Sequence, residues 1–386
     1  MKIIGAQLYP ICLPLAKAVT NAQARVTERR GTLVRLVSDS GEAGWGEASP
    51  YPGFGLESLE ASRSVLADAA AALIGSDVAR LDELQARVTQ LTMSSGCARA
   101  AVETAVLDLW ARAERKPMFE LLTPEHGAAP RVIECNALVT GDELDALERA
   151  ARTELANGFG SFKLKLGTLD LERDLARVAR LREVVGPGAK IRLDANQGYG
   201  QGVARDIDGM SDALAALESF ACHQIEYLEQ PLAADALEAM AALCKHSPVP
   251  LAADESVVTE TDALRVIEAG AADLLVIKPS ALGGPSASLR VARAARQAGV
   301  GVVVTSLLDS AVGVSAAHQV AIAIASEGAL PACGLATGGL LARDVALLEP
   351  PVRGCLPHPT RAGLGIEMDE SRVRKLLAAP VMDLSR

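Results

Sequence analysis

The chain has 386 residues, of which 49% are apolar and only 3% aromatic. That length and apolar content bury a large core, which excludes disorder, a collagen-like fibre and a disulfide-stapled miniprotein. With 38 basic against 48 acidic residues the net charge is −10, so the cationic footprint of a nucleic-acid or anionic-membrane binder is absent.

The first fifteen residues alternate like an opening strand and carry no small-residue cleavage site, so no signal peptide is read there. Ile3–Leu8, Thr32–Ser38 and Gly44–Glu47 are predicted strands, with a turn at Asp39-Ser40-Gly41. Leu56–Leu73, Leu81–Thr89 and Gly96–Arg115 follow with helical apolar spacing. Strands grouped before helices indicate an α+β domain, residues 1–125, closed by the polar, proline-bounded linker Thr123–Pro130.

Beyond the linker the rhythm changes. Short apolar runs at Val132–Leu138, Phe162–Leu166, Lys190–Leu193, Ile225–Leu228, Leu251–Ala253, Asp273–Ile277, Gly301–Val304 and, weakly, Ala332–Leu335 alternate with amphipathic stretches. The latter include Glu143–Leu155, Leu171–Val185, Asp212–Ser219, Ala234–Lys245, Glu260–Glu268 and Pro285–Gln297. Eight strands with crossover helices over residues 126–351 predict an α/β, TIM-like barrel. No G-x-G-x-x-G follows a strand, which lowers a dinucleotide-binding reading. The tail, residues 352–386, is expected to return to the N-terminal domain.

The seven cysteines are odd in number, widely spaced and without a C-x-x-C, so reduced, buried thiols are expected rather than disulfides or a zinc site. The most apolar stretch, Gly299–Leu308, is too short to span a bilayer. The default compartment is therefore the cytoplasm, with no membrane or nucleic-acid partner, and a homo-oligomer is compatible with the chain.

Charged residues end the predicted barrel strands. Lys165, Asp194, Glu229, Asp254 and Lys278 each close a successive run, at separations of 29, 35, 25 and 24 residues. Each step matches one βα unit, so all five fall on the carboxyl-end rim, where barrel enzymes hold their chemistry. Three carboxylates so close cannot all stay ionised without compensation, and a hard divalent cation suits an all-oxygen donor set. Asp194, Glu229 and Asp254 are thus candidate ligands for Mg²⁺, with Mn²⁺ as a substitute. Lys165 and Lys278 flank them. Lys163, two residues before Lys165, shares its face and is expected to hold down the pKa of Lys165. Asn196, two after Asp194, is placed to hydrogen-bond a substrate or a metal-bound water. A dication beside an amine base suits proton abstraction next to a substrate carboxylate.

As K-L-K, L-D-A-N, L-E-Q-P-L, A-D-E-S and I-K-P-S-x-L-G-G, this set resembles the enolase superfamily, and within it the muconate-lactonizing subgroup. The resemblance covers essentially the whole chain. It implies an N-terminal capping domain, a modified (β/α)7β barrel and a tail packed on the cap. It also implies Asp194, Glu229 and Asp254 as Mg²⁺ ligands, Lys165 and Lys278 on opposite faces of a small carboxylate substrate, and Glu255 as a supporting acid beside the ligands.

Gly44–Ser58, read G-W-G-E-A-S-P-Y-P-G-F-G-L-E-S, is similar to the pattern of the o-succinylbenzoate synthase branch, as are Thr305–Gly313, with Ser306 and Asp309, and Gly334–Gly338. Gly55 and Ser58 depart mildly from that pattern, Asp309 stands where a glutamate is usual, and Ala336 where many relatives carry aspartate. Ser306-Leu-Leu-Asp309 also resembles the M-L-E of muconate cycloisomerases. Leu335-Ala-Thr337 lacks the D-x-D of dipeptide epimerases, which weakens that option. The loop Asn21–Arg30, with Arg25, Arg29 and Arg30, is expected to close over the barrel and offer a cation to a distal carboxylate. Phe54 is expected either to wall the substrate or to fill a local core. The expected activity is a Mg²⁺-dependent lyase that forms o-succinylbenzoate in menaquinone biosynthesis, with Lys165 as base. An N-acylamino-acid racemase, or a muconate cycloisomerase- or dipeptide epimerase-type isomerase, is the alternative.

Overall fold

The computed structural model describes residues 1–20, 25–123, 129–166, 170–200 and 207–385. The chain opens on a long antiparallel ribbon, β1 (Ile3–Thr20) with β2 (Arg25–Ser38), to which β3 (Ala43–Ala48) adds as an edge. Met382–Asp383 pairs with the other side of β1, so the C-terminal segment completes this four-stranded sheet.

β1 runs twelve residues past the predicted Leu8. Ile11, Leu13 and Leu15 continue the buried alternation, and Arg25–Arg30 pairs with it as strand rather than forming a loop. The charges at Arg25, Glu28 and Arg30 point to solvent along an exposed ribbon, which is why the pattern read as loop. Residues 21–24 at the ribbon tip, and 124–128 of the expected linker, lie outside the described residues.

Helix α1 (Leu59–Ala72) covers this sheet together with α3 (Gly96–Ala113), and α2 (Leu81–Leu91) packs against both helices. Ser58 and Ser95 cap α1 and α3 by accepting from Ala61 N (3.1 Å) and Ala98 N (3.0 Å). The glycines of G-W-G-E have a steric reason. A Cβ at Gly44 would stand 2.1 Å from Ala105 O, and one at Gly46 1.8 Å from Ala101 O, so β3 lies directly on the α3 backbone.

The second sheet has seven parallel strands in sequence order: β5 (Asn136–Val139), β6 (Ser161–Lys165), β7 (Lys190–Asp194), β8 (Ile225–Glu229), β9 (Leu251–Ala253), β10 (Leu274–Ile277) and β11 (Gly301–Val304). Helices at Leu144–Ala156, Leu171–Val185, Ile207–Ala221, Leu237–His246, Glu260–Ala269, Pro285–Gln297 and Ala311–Ser326 connect or follow them. The predicted eighth strand survives as single bridges, Cys135↔Cys333 and Thr305↔Gly334, which join β11 back to β5. That is the (β/α)7β architecture of an α/β protein.

Two further differences concern the barrel. The run Val132–Leu138 is not one strand: β4 (Val132–Glu134) pairs antiparallel with Cys355–Pro357, and only β5 enters the barrel. The helix Ala311–Ser326 escaped prediction because nearly all of its residues are buried, which leaves no amphipathic period to detect.

Ala-rich helices bury the outer barrel face in one large core. Inside, small side chains (Ala252, Val276 and Val303) with Tyr227 fill one half. The other half is polar. Arg192, fully buried, donates to Glu226 Oε2 (2.6 Å), Asn136 Oδ1 (3.1 Å) and Ala332 O (2.5 Å), and stacks 5.0 Å from the Tyr227 ring. One guanidinium therefore links β5, β7, β8 and the closing segment.

All seven cysteines are free, and Cys97, Cys135 and Cys333 are buried. Cys222 is exposed and Cys12, Cys244 and Cys355 are half-buried, so the expectation of general burial was too broad. Among the described residues no helix is long and apolar enough to cross a membrane.

Candidate active site

Strand register alone assembles the rim. Lys165 pairs with Asp194 across β6 and β7, and Asp194 with Glu229 across β7 and β8, so three of the five residues stand in one row. Asp254 and Lys278 follow the last residues of β9 and β10. Lys163 and Lys165 are two apart on β6 and face the same side, as anticipated.

Lys163 Nζ lies between two carboxylates, 2.9 Å from Asp194 Oδ2 and 2.6 Å from Glu229 Oε1. Lys165 Nζ donates to Asp194 Oδ2 (3.1 Å) and Asn196 Oδ1 (2.7 Å). Across the rim, Lys278 Nζ pairs with Asp254 Oδ1. Asn196 Nδ2 donates to Glu255 Oε1 (3.2 Å), so Glu255 supports the row through Asn196.

Burial dominates the electrostatics here. It pushes the Glu229 carboxyl up to about 7, with Lys163 opposing and Asp194 and Asp254 adding to the rise. Burial also raises Asp254 against the pull of Lys278, and raises Glu255. At Asp194 burial is outweighed by Lys163 and Lys165, which hold that carboxyl below its ordinary range. Lys163 is desolvated, yet Asp194 and Glu229 hold it well above the usual lysine value.

Among the described residues, no group of three or more His, Cys, Asp and Glu side chains stands arranged to hold a metal ion, and ammonium groups neutralise the acids instead. The donor set nevertheless fits a hard cation. Glu229 Oε2 and Glu255 Oε2 are buried without a hydrogen-bond partner among the described residues, and carboxyls raised by burial and by neighbouring acids are relieved by positive charge.

The remaining expected residues divide. Phe54 is buried with its ring 4.4 Å from Lys278 Nζ, in a small cluster with Tyr51, Ala281 and Leu307, so it walls this lysine and fills a local core at once. Ser306 Oγ shares a hydrogen bond with Thr337 Oγ1 (2.8 Å). Asp309 is tied down beside the rim, accepting from Ser280 Oγ (3.1 Å) and Leu307 N (2.9 Å). Arg25 is exposed on β2. Arg29 is not a free cation for a ligand. It is buried, donates to Ser49 O (2.5 Å), Pro50 O (3.4 Å) and Leu308 O (3.4 Å), and stacks on Tyr51. Arg30 pairs with Glu28.

Two residues went unread in the sequence. Arg192 could have been found from alternation, since it stands two before Asp194 and so faces the barrel interior. Glu47, the last letter of G-W-G-E, reaches from β3 to the start of the helix Ala311–Ser326. It accepts from Ser310 N (3.1 Å), Ser310 Oγ (2.5 Å) and Gly313 N (3.0 Å).

Known proteins match the chain over both of its halves. Residues 145–372 match the family model described as enolase C-terminal domain-like, and residues 6–123 that of the mandelate racemase/muconate lactonizing enzyme N-terminal domain. The chain is 32% identical to the L-Ala-D/L-Glu epimerase of Bacillus subtilis over 83% of this chain and 85% of that one. It is 28% identical to the N-succinyl-L-Arg/Lys racemase of Bacillus cereus, covering 97% and 98% of the two chains. The crystal structure of the latter superposes with a TM-score of 0.89 at 26% identity, over 99% of this chain and all of that one. Muconate lactonizing enzyme from Pseudomonas putida gives a TM-score of 0.85 at 25% identity, over 98% and 100%.

Proposed function

The chain belongs to the mandelate racemase/muconate lactonizing enzyme family of the enolase superfamily, and on that premise we propose that it is a Mg²⁺-dependent enzyme in which Lys165 takes the proton next to a substrate carboxylate. Asp194, Glu229 and Asp254 would hold the ion, with Mn²⁺ as a substitute. When bound, the ion supplies positive charge against the negative charge that develops on the substrate carboxylate. In this reading residues 1–125 with 352–386 cap a barrel of residues 126–351, and the enzyme works in the cytoplasm on a small carboxylate.

The observation that carries the reading further is the asymmetry of the two lysines. Lys165 is the more open, its side chain 21% exposed, and is oriented by Asn196 Oδ1 at its ammonium. Lys278 is 9% exposed, paired with Asp254 and covered by the Phe54 ring. One base with a fixed cation opposite suits proton removal followed by syn loss of water, as in forming o-succinylbenzoate for menaquinone. The segments Gly44–Ser58 and Gly334–Gly338 support that product, and Leu335-Ala336-Thr337 offers no carboxylate to a substrate ammonium. Turnover of the cyclohexadiene carboxylate precursor, lost in Lys165→Ala, tests it.

A second reading is N-acylamino-acid racemisation, in which both lysines act. It is favoured by the near-complete coverage shared with the N-succinyl-L-Arg/Lys racemase. N-succinylamino acids in D₂O separate the two, since a racemase exchanges the α-proton of both enantiomers.

A further inference from the structure

Gln230 follows Glu229 directly and is fully buried. Its Oε1 accepts from Asp254 N (2.9 Å), Ser256 N (3.2 Å) and Ser256 Oγ (3.1 Å), and its Nε2 donates to Leu232 O (3.0 Å) and Ser256 Oγ (2.9 Å). Its backbone N donates to Ala252 O (2.8 Å), and its carbonyl accepts from Gln197 N (2.7 Å). A single residue thus joins the turns that follow β7, β8 and β9.

The sheet ladder does not do this by itself. β8 and β9 pair only at Leu228↔Leu251 and Glu229↔Ala252, so Asp254 lies beyond the last pair. Past that point the Gln230 amide is what ties the Asp254 backbone to the Glu229 turn. The backbone of Gln230 is also held against preference. Its φ is +40°, although it precedes Pro231, where extended backbone is favoured.

We propose that Gln230 is a positioning residue that sets the spacing between the Glu229 and Asp254 carboxylates and thereby the affinity of the site for a divalent cation. The inference rests on the reading of those two residues, with Asp194, as the cation-binding set. The Gln230 amide is engaged by Asp254 N, Ser256 and Leu232 O. It acts through the Asp254 N–H and the Glu229 turn, as hydrogen-bonded partners behind ligands do in metal sites.

The test is Mn²⁺ titration followed by electron paramagnetic resonance on the full chain, with thermal unfolding recorded without metal. Gln230→Ala is expected to weaken Mn²⁺ about 10- to 100-fold, and Gln230→Glu, which keeps an acceptor for Asp254 N, to recover it to within about tenfold. The neighbouring Gln197→Ala loses only the bond from Ala234 N (3.0 Å) and is expected to stay within about threefold of the parent. Mn²⁺ affinity retained in Gln230→Ala overturns the inference, as does an equal loss in Gln197→Ala, which would mean general loosening of the turns. If Gln230→Ala does not fold, Gln230→Met, which fills similar space without an acceptor for Asp254 N, takes its place: a loss beyond about tenfold with Gln197→Ala unchanged supports positioning, and parent-like affinity overturns it. Absence of Mn²⁺ binding by the parent chain instead refutes the cation-binding reading itself.

Discussion

Removing Glu47 tests how the N-terminal sheet is fastened to the barrel. Its buried carboxylate accepts from the backbone N–H groups of Ser310 and Gly313 and from the hydroxyls of Ser310 and Ser49 (2.7 Å). In Glu47→Ala the hydroxyls can turn to other acceptors, but the two N–H groups at the helix start cannot. At about 1.5 kcal/mol for each bond to an ionised acceptor, the low end of the range, the loss is about 3 kcal/mol. One effect opposes it. Burial, and after it Glu47, holds the Asp309 carboxyl up at about 6, and Glu47 also adds to the burial-driven rise of Asp344; losing that neighbour returns roughly 1 kcal/mol. The expected net loss is about 2 kcal/mol by urea unfolding at pH 7. The pH dependence supplies the sign. A folded-state value of about 6 lies above that of an unfolded aspartate, so the native chain binds the extra proton and the contribution of Asp309 to stability falls as pH rises from about 4 through 6, by about 3 kcal/mol. In Glu47→Gln that fall should shrink. A loss below about 0.5 kcal/mol in Glu47→Ala, or an unchanged pH slope in Glu47→Gln, refutes the reasoning.

Arg192→Met removes the guanidinium from the polar half of the barrel interior and leaves Asn136 Oδ1 and Ala332 O without that donor, while Glu226 keeps Lys190 (3.2 Å); a loss of about 3 kcal/mol is expected in urea unfolding, and one under about 1 kcal/mol contradicts the closing role given to it. Gly46→Ala forces a Cβ onto Ala101 O, and the expected result is loss of cooperative unfolding or of soluble protein, seen by circular dichroism. Phe54→Ala uncovers Lys278. It should allow α-proton exchange from the second enantiomer of an N-succinylamino acid, followed by NMR in D₂O, where the parent exchanges one; exchange of both by the parent would show that the ring does not limit Lys278.

The rim was legible because period-two alternation and βα spacing are one-dimensional properties: Lys165, Asp194 and Glu229 fall in register without any long-range information. What the sequence concealed depends on contacts between distant segments. Arg25–Arg30 became strand because Cys12–Thr20 pairs with it, and Arg29 became a structural cation because Ser49, Pro50 and Leu308 carbonyls surround it. The helix Ala311–Ser326 was hidden by its own burial, since a helix covered on all sides carries no polar face. Lys163 was read as a neighbour of Lys165, whereas its partners are the carboxylates Asp194 and Glu229, across β7 and β8. Glu47 lies 263 residues from the Ser310 N–H that it accepts from, a distance at which no local pattern speaks.

The central claim is that Lys165 removes a proton next to a carboxylate at a cation-dependent site. Solvent deuterium incorporation, followed by NMR on a panel of cyclohexadiene carboxylate and N-succinylamino acid substrates with Mg²⁺, tests it most directly when the parent and Lys165→Ala are compared. The account predicts exchange by the parent and none by Lys165→Ala, with Mn²⁺ binding retained in both. Exchange that persists in Lys165→Ala would contradict it.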